Sequence, residues 1–113
     1  MRNGRNRVAK GKKGMDEFAQ FLDNHGVRAM RGHNTDCVHA IDGVHFEVKR
    51  QETCKAYEFL RQAIEDIFDR NELTPIVAHR QNRKDWIAIL DLGDLMTILK
   101  RAGMVSARSG SAH

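Results

Sequence analysis

The alternation of apolar and polar positions divides the chain into a series of helices and strands. Met15, Phe18 and Leu22, with Ala19 and Phe21 beside them, recur at helical spacing. They predict a helix that begins near Gly11–Lys13, runs to Asn24 or His25 and stops at Gly26. Val27–Arg31 reads as a short strand, followed by the loop Gly32-His33-Asn34-Thr35. Two runs of strand-type residues come next, Asp36–Ile41 and Val44–Lys49. They are separated by Asp42-Gly43, a dipeptide suited to a two-residue type I′ turn. A hairpin with that loop pairs Ile41 with Val44, Cys37 with Val48 and Asp36 with Lys49. One face then carries Cys37, His39, Ile41, Val44, Phe46 and Val48, which is nearly all apolar. The other carries Asp36, Val38, Ala40, His45, Glu47 and Lys49.

Thr53 is a candidate N-cap for a second helix over residues 55–70. Its expected stripe is Tyr57, Leu60, Ala63/Ile64 and Ile67/Phe68, with Gln62 off the centre. Pro75 precedes a strand at Ile76–Arg80, Gln81–Lys84 forms a polar turn, and Asp85–Leu90 is the next strand, with Trp86 expected in the core. Asp91, with Asp94 three residues on, caps a last helix over Leu92–Ala102. Leu92, Leu95, Met96 and Leu99 form its stripe, and Gly103 is its stop. The order α-β-β-β-α-β-β-α predicts an α/β or α+β fold, with a mixed sheet of about five strands between helices.

Composition adds little until charge is placed along the chain. At 113 residues, 41% apolar and 30% charged, this is one ordinary globular domain. No apolar run approaches the roughly 20 residues that cross a bilayer, and no secretory signal is visible. Cys37 and Cys54 form no CxxC pair, so reduced thiols in a cytoplasm are expected. There are no internal repeats, no GxGxxG and no P-loop. The formal charge of +4 is uneven: residues 1–13 hold six Lys/Arg and no acid, and the remainder has a net of −2. This suggests a flexible basic arm at 1–10, a folded domain at 11–103 and a frayed Ser/Gly/Ala-rich tail at 104–113. Lys10, Lys12 and Lys13 in or beside the arm are candidates for nucleic-acid phosphates. Arg80, Arg83 and Lys84 around the polar turn form a second candidate patch, and His33 is a candidate phosphate contact in its loop.

The hairpin register brings chemistry to one place. Asp36 and Lys49 are directly opposed, and Glu47 lies on the diagonal, roughly 7–8 Å away by backbone spacing. Taken singly, each is an ordinary member of a solvated sheet face. Together they form a site. Two carboxylates at this separation repel unless a cation sits between them, and oxygen ligands suit Mg²⁺ or Mn²⁺. A lysine beside the ion can orient its water or stabilise developing negative charge.

Asp36, ten intervening residues, then Glu47-Val48-Lys49 resembles the D…(D/E)xK signature of the PD-(D/E)xK nucleases, with Thr35 in place of the proline that often precedes the aspartate. The surrounding order is similar to that of the archaeal and phage Holliday junction resolvases. It comprises KGKKG at Lys10–Gly14, a helix ending in FLDNHG, VRAMRG, FEVKR, a helix with Arg61-Gln62-Ala63, and strands with His79-Arg80 and Trp86. The resemblance covers roughly Lys10 to Ala102. It implies a restriction-endonuclease-like core and a dimeric, Mg²⁺-dependent endonuclease for branched DNA, in a bacterial, archaeal or phage-infected cell. Asp36, Glu47 and the Val48 carbonyl would hold the metal, with Mn²⁺ as a substitute. Lys49 would position the water, and Gln62 would help hold the site. Arg31 and Arg50, which fall in the quoted segments VRAMRG and FEVKR, join the candidate DNA contacts. Met15 stands where the resemblance puts an acid in the first helix. Glu17, at the edge of the apolar stripe, is the candidate substitute, and Asp16 points away. A related nuclease of flap, nicking or repair specificity, or a non-catalytic DNA-binding protein on the same fold, are the readings left open.

Overall fold

The structure is a computed structural model. It describes residues 2–32 and 37–106, with the backbone alone for residues 2–12. The elements are α1 (Arg2–Asn24), β1 (Ala29–Arg31), β2 (Cys37–His39), β3 (Val44–Arg50), α2 (Ala56–Asp66), β4 (Thr74–Arg80), β5 (Ile87–Ile89) and α3 (Leu92–Arg101). Their order is the one expected, and the class is α/β. The strands, however, divide into two sheets. β1 pairs antiparallel with β2, and a mixed sheet has the order β3-β4-β5, with β3 parallel and β5 antiparallel to β4.

The expected hairpin between β2 and β3 is therefore corrected. Cys37 pairs with Arg31 instead of Val48, and Lys49 lies opposite His79. The turn explains part of this. A type I′ loop needs positive φ at both central residues, and here Gly43 has φ 78° while Asp42 does not share that sign. A turn of the unprimed kind splays its strands. β3 finds its partner across α2 instead, in a parallel ladder from Val44↔Thr74 to Arg50↔Arg80. Such a crossover is the ordinary way to join parallel strands.

The strand alternation survives the change of partner. Phe46 and Val48 pack with Cys37 and Trp86 against Phe18, Leu22 and Ala78, beneath α1. The α1 stripe is the one expected, with Met15, Phe18, Ala19 and Leu22 all buried. Gly26, at φ 82°, closes the helix with paired bonds from its N–H to the Asp23 carbonyl and from Val27 N–H to the Leu22 carbonyl. The N-terminal end differs: helical backbone begins at Arg2, so the stretch 2–10, expected to be irregular, extends α1. Lys, Arg and Ala are good helix formers, and adding turns to an existing helix carries no nucleation cost.

α2 is shorter than expected and turned about its axis. Lys55, not Thr53, is its N-cap, without a side-chain bond. Phe59, Ala63 and the following Ile67 are buried, whereas Tyr57 is 92% and Phe68 79% exposed. Ala63 and Val77 are both fully buried. They let the helix sit close over the sheet, and that contact selects the Phe59–Ala63 face. In α3 the expected cap is present, Asp91 Oδ1 accepting from Asp94 N–H at 3.0 Å. Its expected apolar stripe is only partly covered: Leu95 and Leu99 are half-buried, Leu92 is 69% and Met96 40% exposed, and no residue of the helix is fully buried.

At Gly14 the α1 backbone passes close to Arg50 of β3. A Cβ there would lie 2.7 Å from Arg50 Cβ, at the stem of that side chain where nothing can swing aside. Gly14→Ala is expected to cost roughly 1–3 kcal/mol by overpacking. Urea denaturation checks it: the midpoint should fall with an unchanged slope.

Candidate active site

Alternate residues of β3 face opposite helices. His45, Glu47 and Lys49 lie on the α2 side, and α2 runs antiparallel to β3 above them. Its far end brings Asp66 to His45, and its near end puts the Phe59 ring under Lys49, with Nζ 5.3 Å from the centroid. Glu47 spans the gap. Its Oε1 lies 3.7 Å from His45 Nε2 and its Oε2 3.6 Å from Lys49 Nζ. His45 Nε2 is also 4.0 Å from Asp66 Oδ2. Glu47 and Lys49 are mostly withdrawn from solvent, with side chains 19% and 20% exposed. Two polar atoms here are buried without a hydrogen-bond partner, His45 Nε2 and Gln62 Oε1. Gln62 stands on α2 between Phe59 and Asp66, on the side that covers β3. The site opens into a cleft of about 1040 Å³ lined by β3, Cys37–His39, Asp66 and Arg70.

The two carboxyl groups influence each other strongly. Burial alone would raise the Glu47 carboxyl. The His45 imidazole, hydrogen bonding with Asp66 and the Lys49 ammonium outweigh it and bring Glu47 to about 2. Because 3.7 Å is too long for a hydrogen bond, the imidazole acts here through charge. Asp66 moves the other way, raised to about 6 by hydrogen bonding with Glu47, then by burial and the Glu47 charge.

The sign of the Asp66 shift gives a prediction for metal-free protein in chelator. The group is neutral in both states below its ordinary value of 3.8. Between 3.8 and about 6 its ionisation increasingly opposes folding, and above that the penalty is complete. Asp66→Asn should therefore raise the melting temperature at neutral pH and leave it unchanged below pH 3.8. The side chain is 54% exposed, so solvent screening holds the gain to about 1 kcal/mol or less, a few degrees. Glu47 contributes with the opposite sign: its stability is present above its ordinary value of 4.5 and is lost as the pH falls toward 2.

The other expected site residues are dispersed. Asp36 and His33 lie outside the described residues. Val48 sits in the ladder opposite Ala78, its side chain in the core under α1. Glu17 does not join Glu47. Its Oε1 accepts from Arg50 Nε at 2.7 Å and from Arg80 Nη1 at 3.1 Å, on the α1 side of the sheet. Arg31 is bound to Asp16 at 2.9 Å. Thus three arginines expected on DNA phosphates hold α1 carboxylates instead, and Arg50 also donates to Asn82 Oδ1 at 2.9 Å. Arg80 donates to the Lys84 carbonyl at 2.6 Å, which folds the β4–β5 turn. Lys13, Arg83 and Lys84 are exposed, and Lys10 and Lys12 lie on the α1 backbone.

Asp66 is the residue that sequence reasoning missed, and His45 the one it placed on the right face without a role. Among the described residues, His45, Glu47 and Asp66 form the group whose ligand atoms all lie within 4.8 Å of one another. No helix among the described residues is long and apolar enough to cross a membrane. Comparisons with protein-family models, with curated proteins and with solved structures found no match to this chain.

Proposed function

We propose that the chain is a metal-dependent, structure-selective DNA endonuclease of the PD-(D/E)xK kind, acting on four-way junctions as a Holliday junction resolvase. The observation that carries this reading is the Glu47/Lys49 pair. A carboxylate and an ammonium lie 3.6 Å apart on one strand face, largely withdrawn from solvent and open to a cleft. On α2 the Gln62 Oε1 is also buried without a hydrogen-bond partner. Asp36, Glu47 and the Val48 carbonyl are the ligands proposed for Mg²⁺. When bound, the ion would activate a water and neutralise charge on the scissile phosphate. Lys49, held over Phe59, orients that water and opposes negative charge on the phosphoryl oxygens. Gln62, whose Oε1 is buried without a partner on α2, would help hold the site from the helix side. The exposed Lys13, Arg83 and Lys84 supply phosphate contacts at the rim.

Paired cuts at a nearly symmetric junction call for a two-fold dimer. The exposed Tyr57 and Phe68 of the α2 region, and Leu92 and Met96 of α3, offer apolar surface for one.

The test is a gel assay on a synthetic four-way junction, a flap, a nicked duplex and a linear duplex, with and without Mg²⁺. Paired nicks confined to the junction and dependent on the ion are expected. Equal cutting of the flap or linear duplex would replace resolvase by a nuclease of other specificity. Tight junction binding with no cutting in Mg²⁺ or Mn²⁺ would make the chain a binding protein.

A further inference from the structure

The cluster on the α2 side of β3 contains a nitrogen donor that oxygen-only coordination does not use. We propose that His45, Glu47 and Asp66 form a binding site for a borderline first-row divalent ion of the Zn²⁺ class, distinct from the Asp36/Glu47/Val48 set and sharing only Glu47 with it.

Geometry supports this first. Bonds of about 2.1 Å in a tetrahedral site put ligand atoms about 3.4 Å apart. His45 Nε2 is 3.7 Å from Glu47 Oε1 and 4.0 Å from Asp66 Oδ2, and the three ligand atoms all lie within 4.8 Å of one another, so side-chain adjustments without backbone movement would close the site. The division of Glu47 helps. Oε2 faces Lys49, while Oε1 faces His45 and stays available. Orphaned polar atoms are the independent observation. His45 Nε2 is buried with no partner, as is Gln62 Oε1 on the same side of α2. Buried polar atoms of this kind are costly unless something outside the protein satisfies them. An ion held by the three side chains would take the imidazole lone pair of His45. Both oxygens and nitrogen come from rigid elements, two from one strand and one from the facing helix.

Ligand chemistry decides the class of ion. Mg²⁺ favours oxygen donors in a strict octahedron and gives up its waters reluctantly. Imidazole with two carboxylates suits Zn²⁺, Co²⁺ and their neighbours. The single exposed ligand, Asp66, leaves the entry side open, so the ion can exchange with solution.

The experiment uses the full, untagged chain, stripped with chelator and titrated with Co²⁺ in the absence of DNA. Visible d–d bands should grow to one equivalent. Zn²⁺ should remove them, and about a hundredfold excess of Mg²⁺ should not. His45→Asn and Asp66→Asn should each weaken Co²⁺ binding at least tenfold, about the loss that even outer-shell changes produce at metal sites. Circular dichroism establishes that each variant is folded; the half-exposed Asp66 keeps the test usable should His45→Asn fail to fold. Absent bands in the wild type, equal affinity in both folded variants, or displacement by Mg²⁺ as readily as by Zn²⁺ would overturn the proposal. Junction cleavage by the wild type in Mg²⁺ alone is scored separately. An intact Co²⁺ site without cleavage removes the nuclease reading only, and cleavage without a Co²⁺ site removes this inference only.

Discussion

Glu47→Gln is expected to lower metal-dependent junction cleavage by roughly 10²–10³-fold or more while leaving the fold and DNA binding in place. The substitution keeps the volume and removes only the charge. That charge is permanent at working pH, since the carboxyl is held at about 2. It is also the centre of the local field, 3.6 Å from Lys49 and 3.7 Å from His45. Binding should hold or tighten, because a carboxylate facing a phosphate is lost. Lys49→Ala is expected to fall as far by a different route, since it removes the cation over Phe59 and leaves Glu47 ionised. The pair separates two explanations. A loss of metal ligation makes Glu47→Gln sensitive to added Mn²⁺, whereas Lys49→Ala responds little to the ion. Single-turnover rates across a metal titration read both. Near-wild-type turnover by folded Glu47→Gln would sink the assignment of this strand face as the reacting centre.

What the sequence disclosed depended on whether a signal was local. Glu47 and Lys49 share a face because a strand alternates with period two, and that holds whichever strand lies alongside. Asp91 could be read as a cap because its partner, Asp94 N–H, is three residues away. The α1 stripe was legible because Phe18 and Leu22 have few apolar competitors on the other side of the helix. The partner of β3 was not legible. Asp42-Gly43 is a local hairpin signal, and the ladder that wins, Val44↔Thr74, joins residues on either side of α2. Tertiary pairing overrode the turn. α2 fails for another reason: it is apolar on two sides. Tyr57, Ile64 and Phe68 make as good a stripe as Phe59, Ala63 and Ile67, and only the close seat over Val77 chooses between them. Starting the stripe at Tyr57, with Ala63/Ile64 and Ile67/Phe68 left as pairs, found the buried Ala63 and Ile67 but passed over Phe59 and, one face along, Asp66. Glu17 was misread for a third reason. Its helical angle was right for the stripe's edge, but two arginines from β3 and β4 claim it there.

The same distinction between covered and uncovered aromatic rings makes the largest stability prediction. Phe18→Ala is expected to cost about 3–5 kcal/mol. A domain of this size has about 5–15 kcal/mol in all, so about a fifth or more of the total would go. Phe18 is 3% exposed and meets three rings, Phe46 at 4.9 Å, Trp86 at 5.2 Å and Phe21 at 6.4 Å between centroids. The Phe46 and Trp86 contacts are edge-to-face, the arrangement ring quadrupoles favour. Removing the ring loses its burial and opens a cavity between α1 and the sheet. It also loosens the face of β3 that Phe46 and Val48 pack beneath α1. Tyr57→Ala is the matched control. At 92% exposure it should change stability by no more than about 0.5 kcal/mol. Urea midpoints of the two variants, with slopes compared to the wild type, check both. A Tyr57→Ala loss equal to that of Phe18→Ala would mean that α2 packs through its other stripe. Asp66 would then turn away from Glu47, and the His45/Glu47/Asp66 cluster would come apart with it.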